Sequence, residues 1–215
     1  MSTHALENFK RINDIVKKLS NKANIIAVTK TFPLEAISSI ISYGHLHYGE
    51  NKVLEAINKW SNLLKVNNAI KLHMIGHLQS NKAKEAISIF SYIHSLDSEK
   101  LANILSKEEQ ISNKRLKYFV QVNFGDEKQK FGISVNLVGD FIKYTKNDLR
   151  LDVIGLMCIP PADQDPASFF LSLKKIADRN NLLELSMGMS NDYKHAINHG
   201  ATFIRIGSAI FGQRI

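Results

Sequence analysis

The feature that most narrows the fold of this chain is a strict succession of short apolar runs and longer amphipathic ones. A leading segment at residues 3–19 places Leu6, Phe9, Ile12, Ile15, Val16 and Leu19 at three- and four-residue spacings, as an amphipathic helix does. The pattern then passes from strand to helix eight times. Asn24-Ile25-Ile26-Ala27-Val28-Thr29 opens the series. It lacks clean alternation, as expected of a parallel strand covered on both faces. Pro33 suits the first turn of the next helix and Gly44 its end. Further strands are read at 45–49, 70–76, 92–95, 116–123 and 151–157, with helices at 51–65, 80–90, 99–112, 135–146 and 166–181. Asp97 or Ser98 caps helix 99–112. The last two strands lie in Leu185-Ser186-Met187-Gly188-Met189-Ser190 and Thr202-Phe203-Ile204-Arg205-Ile206-Gly207-Ser208.

Alternating units imply a parallel sheet. Eight of them close a barrel, and 215 residues fit the lower end of its size range. The expectation is therefore an α/β chain, a single TIM-type (β/α)8 barrel with an extra amino-terminal helix, forming one domain over residues 1–215. An open doubly wound sheet is the competing arrangement, weakened because no Gly-x-Gly-x-x-Gly follows the first strand.

Composition trims the function classes. Hydrophobic content of 44% and charged content of 22% suit a globular chain, and no apolar run approaches the ~18 residues of a membrane span. No secretory leader is visible, and the single cysteine, Cys158, excludes an intrachain disulfide and fits a reducing compartment. A cytoplasmic location is expected. The net charge of +8 raises nucleic acid as a partner, but the excess is scattered and no block of like charges appears. Neither nucleic acid nor membrane is expected.

Active sites of barrels sit at the carboxyl ends of the strands. Lys30 follows the first strand on the face of Ile26 and Val28. A lysine at an apolar mouth is desolvated, and its neutral amine can attack an aldehyde. The plain alternative is a surface lysine, one of 22 in the chain. At the other end, the hydroxyls of Ser186 and Ser208, the backbone near Gly207 and Ser208 and the Arg205 cation suit one anion, although glycines and serines also end strands and cap helices. His45, His47, His73, His77 and His94 lack an acidic or cysteine partner at suitable spacing, so a metal site is not expected. Burial is the reading for Cys158, and packing for Met187 and Met189.

Six strings occur in order: Ala27-Val28-Thr29-Lys30-Thr31, Tyr48-Gly49-Glu50-Asn51, Ile75-Gly76-His77-Leu78-Gln79-Ser80-Asn81-Lys82, Gly155-Leu156-Met157, Leu185 to Ser190, and Ile204-Arg205-Ile206-Gly207-Ser208. Together they closely resemble the pyridoxal phosphate homeostasis (YggS/PROSC) family over essentially the whole chain. The resemblance implies a barrel like the amino-terminal domain of alanine racemase, holding pyridoxal 5′-phosphate as a Schiff base on Lys30. It further implies that Ser186, Arg205, Gly207 and Ser208 hold the phosphate and that Asn51 sits beside the ring. Lys130 matches a second lysine of relatives, either a handover residue or an ordinary loop lysine. His77 stands where several relatives carry Pro.

Two functions follow from the resemblance. One is a carrier that buffers or delivers the cofactor, with transient contact to apoenzymes that need it. The other is an amino-acid racemase. Racemisation needs acid/base groups on both faces of the substrate carbon. The resembled racemases take the second from a carboxyl-terminal domain for which no sequence follows Ile215, and only Tyr48 lies near a strand's carboxyl end. The carrier, acting as a monomer, is the favoured expectation.

Overall fold

Eight short strands of β-branched and aromatic residues pair in parallel and close on themselves, so each of the eight has a neighbour on both sides. The computed structural model describes residues 2–125, 131–161 and 163–212. Helix α1 (Ser2–Leu19) leads. The repeating units are β1 (Asn24–Val28) with α2 (Leu34–Ser42), β2 (His47–Glu50) with α3 (Val53–Val66), β3 (Lys71–Met74) with α4 (Ala83–Ile89), and β4 (Tyr92–Leu96) with α5 (Glu99–Ser112). Then come β5 (Lys117–Asn123), the two-residue β6 (Ile133–Ser134), α6 (Val138–Lys143), β7 (Asp152–Met157), α7 (Pro166–Arg179), β8 (Glu184–Met189), α8 (Tyr193–Asn198), β9 (Phe203–Ile206) and α9 (Ser208–Phe211). The order β4-β3-β2-β1-β9-β8-β7-β5 is closed by pairing of β4 with β5. This is the expected TIM-type barrel with its leading helix.

The differences from the sequence reading are local. Strand β6 is an addition that pairs Ile133 with Val122 at the upper end of β5. The helix expected at 135–146 is divided into a 3-10 turn at Val135–Leu137, α6, and a π-helical turn at Tyr144–Asp148. Thr145 is the cause at hand, because its hydroxyl donates back to the carbonyls of Phe141 and Ile142 and competes with the helical ladder. Ser98, and not Asp97, caps α5, its Oγ accepting from the Leu101 N–H at 3.3 Å.

Side chains alternate across the barrel wall. Ile25, Ala27, Tyr48, Leu72, Ile93 and Ile204 face the helices and join the main core, while Ile26, Phe119, Met157 and Phe203 form a separate cluster inside the ring. The wall is thus sealed from both sides, each fully buried aliphatic contributing about 1.5–3 kcal/mol. Helix α1 adds Phe9, Ile12 and Val16 to the outer core. At β8 the register with β9 shifts between Ser186 and Met189. Gly188 sits there at φ 89, and a Cβ on it would come within 2.5 Å of the Ala196 Cβ, so only glycine lets α8 seat on the strand. Among the described residues no helix is long and apolar enough to cross a membrane.

Candidate functional site

Parity along β1 sets the first element of the site. Ile26 lies inside the ring and Ala27 outside it, and Thr29 continues the outer set, so Lys30 falls on the inner side of the carboxyl end. Lys30 is half-buried. The residues flanking it are held from outside the wall. Glu50, fully buried at the end of β2, accepts on one oxygen from the Thr29 hydroxyl at 2.7 Å, Lys59 Nζ at 2.9 Å and Trp60 Nε1 at 2.9 Å. Lys59 also donates to the Thr29 carbonyl at 2.7 Å and to Glu55 at 3.1 Å. Glu55 in turn accepts the Thr31 N–H at 2.6 Å. Thr31 has φ 69, a left-handed conformation costing a β-branched residue about 1–3 kcal/mol. The Glu55 contact fixes that bend directly after Lys30.

β9 is hydrogen-bonded to β1, with Arg205 opposite Ile26. Arg205 therefore lies on the inward face, four residues below the level of Lys30. It is almost wholly buried. Its Nη1 donates to the Ser186 carbonyl and hydroxyl, both at 2.8 Å, and its Nη2 to the Cys158 carbonyl at 2.9 Å. Among the described residues no carboxylate is hydrogen-bonded to it. Burial lowers its pKa from the ordinary arginine value, while Cys158 and Asp192 pull the other way. The Cys158 thiol is itself pushed up to about 12 by burial and stays neutral, and Asp192 spends an oxygen on the Met189 N–H at 2.6 Å. A guanidinium in a dry interior without a bonded carboxylate calls for an anion.

Gly207 follows β9 against Val28, where an added Cβ would meet the Val28 Cβ at 3.4 Å. Gly207 and Ser208 thus lie higher than Arg205 and closer to Lys30. Asn51 stands at the end of β2, and its buried Oδ1 has no hydrogen-bond partner. Gly76 packs on it so closely that a Cβ would fall 2.6 Å from the Asn51 carbonyl oxygen. A cavity of about 420 Å3 opens beside Asn51, lined also by His77, Gln79 and Lys82.

The expected residues thus converge on one end of one barrel, but at two levels. Lys30, Asn51, Gly207 and Ser208 form a rim. Ser186 and Arg205 form a floor, where the Ser186 hydroxyl is already engaged by Arg205 and, at 2.7 Å, by His94 Nδ1. Lys130 lies outside the described residues.

Comparison with known proteins bears on what this arrangement serves. The family model described as alanine racemase, N-terminal domain, matches residues 3–215. The pyridoxal phosphate homeostasis protein of Pasteurella multocida is 36% identical over 98% of this chain and 92% of its own length. That of Aquifex aeolicus is 33% identical over 99% and 96%. The chain belongs to the pyridoxal phosphate homeostasis protein family. Among solved structures, PipY of Synechococcus elongatus without PLP superposes with a TM-score of 0.87 at 32% identity, covering 94% of this chain and 99% of that one. The same protein with PLP bound gives 0.85 at 31%, covering 95% and 100%. Alanine racemase of Clostridium difficile 630 shares the fold alone, with a TM-score of 0.72 at 14% identity over 97% of this chain and 57% of that one.

For this member of the family the sequence reading missed the outer bracket of Glu50, Glu55, Lys59 and Trp60 and the role of the histidines. Glu50 was visible at a strand end, but its position outside the wall follows only from the strand's parity. His47, His73 and His94 occupy inward positions on three neighbouring strands and meet nitrogen to nitrogen. Two of their three lone pairs are spent on one another, and His94 Nδ1 faces the Ser186 hydroxyl. Among the described residues no group of three or more His, Cys, Asp or Glu is placed to hold a metal ion.

Proposed function

We propose that this chain binds pyridoxal 5′-phosphate, holds it covalently on Lys30, and buffers or delivers it within the cytoplasm. The observation that carries the reading is Arg205, a buried cation that donates to carbonyl and hydroxyl oxygens, on the strand adjoining the one that leads into Lys30. Support comes from the names of the relatives and from a neighbour solved with PLP bound. The residues fit such a group: an amine, a buried cation, a glycine–serine rim, and an amide oxygen with a free acceptor. Bound there, the ligand supplies an aldehyde that condenses with amines and a phosphate that seeks cations and N–H donors.

Within that reading Lys30 is the nucleophile, kept at a fixed height by the pinned Thr29 and Thr31. Gly207 and Ser208 take the phosphate at the rim, and Asn51 lies beside the ring. Arg205 presents its charge from the floor, oriented by Ser186. Carrier work is favoured over racemisation by the placement of Tyr48. Its ring packs on Trp60 with centroids 4.8 Å apart, its hydroxyl donates to the His45 carbonyl at 3.0 Å, and burial raises its pKa. It faces the helices and cannot serve as the second base. We take the carrier to act as a monomer with transient contact to recipient apoenzymes.

The test is the absorbance spectrum of purified protein mixed with pyridoxal phosphate. Wild type is expected to show a visible band that borohydride abolishes, and Lys30→Ala to lack it. Arg205→Met and Ser208→Ala are expected to keep the band but lose ligand faster on dialysis. A borohydride-sensitive band in Lys30→Ala overturns the lysine assignment. Racemisation of alanine at enzyme-like rates overturns the carrier reading.

A further inference from the structure

A line of hydrogen bonds crosses the barrel interior beneath the site. His47 Nδ1 meets His73 Nε2 at 2.9 Å, His73 Nδ1 meets His94 Nε2 at 2.9 Å, and His94 Nδ1 meets Ser186 Oγ at 2.7 Å. Tyr92 stacks on His73 with centroids 4.2 Å apart, and Phe119 stacks on His94 at 4.2 Å. His73 and His94 are fully buried, whereas His47 is half-buried. The upper end is the hydroxyl that Arg205 grips.

Proton counting links these groups. A neutral imidazole has one N–H and one bare nitrogen, and each N···N contact needs one proton. The three rings must therefore all point the same way. In one register Ser186 donates to His94, His94 to His73 and His73 to His47, which leaves the His47 proton on Nε2. In the other His47 donates upward, His94 donates to Ser186, and the serine proton is free to point at a ligand. Both registers hold three ring protons and one hydroxyl proton. A proton that enters at His47 Nε2 and hops along the line releases one at Ser186 Oγ.

We infer that His47, His73 and His94 form a proton relay whose direction is set by the ligand at Ser186 and read out at His47. Without ligand, the buried Ser186 proton has His94 Nδ1 as its acceptor among the hydrogen-bonded neighbours, because Arg205 is a donor. The downward register follows. A charged His47 carries protons on both nitrogens and must donate to His73, which forces the upward register and turns the Ser186 proton toward the ligand. A phosphate-bearing ligand that accepts from Ser186 therefore eases protonation of His47, and protonated His47 favours that ligand by the same factor. The groups facing His47 are Lys71 on β3, His45 just before β2, His73, Tyr92 on β4 and Phe203 on β9. Burial and Lys71 hold its pKa below the ordinary 6.5. His94 faces Arg205, which with burial keeps it neutral.

The inference rests on Ser186 and Arg205 forming the floor of the cofactor site, but its first test needs no ligand. Ring-nitrogen NMR of 15N-histidine-labelled protein at neutral pH is expected to show His73 and His94 protonated on Nε2 and bare on Nδ1. A proton on His94 Nδ1 in the ligand-free protein overturns the relay. With pyridoxal phosphate added, the His47 titration midpoint is expected to rise on the order of one unit, and His94 to exchange its bare nitrogen while remaining neutral. His73→Phe leaves the ligand's charge in place but cuts the line, so the effect on His94 must vanish and that on His47 must shrink. If it persists in full, simple electrostatics explains it and the relay is refuted. Should that variant unfold, His47→Gln serves instead, and His94 must then keep one register from about pH 8 to about pH 5. Failure of the cofactor reading is told apart by the absence of any absorbance change on adding pyridoxal phosphate.

Discussion

Glu50 concentrates on one oxygen what keeps the Lys30 segment in place. It accepts from a hydroxyl, an ammonium and an indole N–H, and Lys59 is itself only 9% exposed. Glu50→Gln preserves shape but removes the charge that Lys59 was buried against. Glu55 remains as a partner, so the expected loss is about 2 kcal/mol, less than for a fully orphaned buried charge. Urea unfolding measures it, and a loss below about 0.5 kcal/mol shows the pair to be no better than a surface one. Glu55 answers to pH. Burial raises its pKa, but the Thr31 N–H and Lys59 outweigh this and hold it below the ordinary 4.5. A carboxyl with a lower pKa folded than unfolded adds stability that is complete above the unfolded value and is lost as pH falls through the folded one. The stability advantage of wild type over Glu55→Gln is thus expected to persist near neutrality and to fade below pH 4.5. Parallel pH profiles for the two proteins sink that account.

At the scale of elements, α1 tests whether the leading helix belongs to the barrel or merely precedes it. Phe9 is buried and packs edge-on to Tyr43 and against His45, with centroids at 6.0 Å and 4.6 Å. Phe9→Ala is expected to cost about 3–5 kcal/mol of global stability by urea unfolding. If α1 instead melts alone and leaves the main transition unmoved, it is an appendage. The helix was legible from its spacing, as were the barrel strands, because each buries a face whose period is set by local geometry. Lys30 was legible for the same reason, by parity with Ile26 and Val28. Strand β6 was not, since a two-residue strand owes its existence to the neighbour it pairs with. The division of the segment after β6 was hidden too, because Thr145 has the propensity of any mid-helix threonine until its hydroxyl finds a carbonyl. The histidine line was least legible. His94 on β4 and Ser186 on β8 are 92 positions apart, and their contact exists only once strands between and beyond them have closed the ring. Sequence spacing offered metal ligation as the question to ask of those histidines, whereas the interior geometry pairs them with one another.

At the scale of the whole molecule, closure joins the first barrel strand to the last. Asn24 to Ala27 run beside Phe203 to Ile206, so Lys30 and the Gly207–Ser208 rim share one seam although they come from opposite ends of the chain. A ligand fastened to both sides of that seam binds only the closed barrel, because opening β9 from β1 separates amine from rim. Its binding free energy is then added to global stability. At a concentration 100-fold above its dissociation constant, pyridoxal phosphate is expected to add about 2.7 kcal/mol. For a domain of this size that corresponds to a rise in Tm of roughly 5–10 °C. Lys30→Ala keeps the rim and floor but removes the fastening on β1, so at the same ligand concentration its gain over its own ligand-free Tm must be smaller. Differential scanning calorimetry with and without ligand separates the outcomes. Equal gains in both proteins would place the ligand on one side of the seam only, and the closure of the barrel would then have no part in holding it.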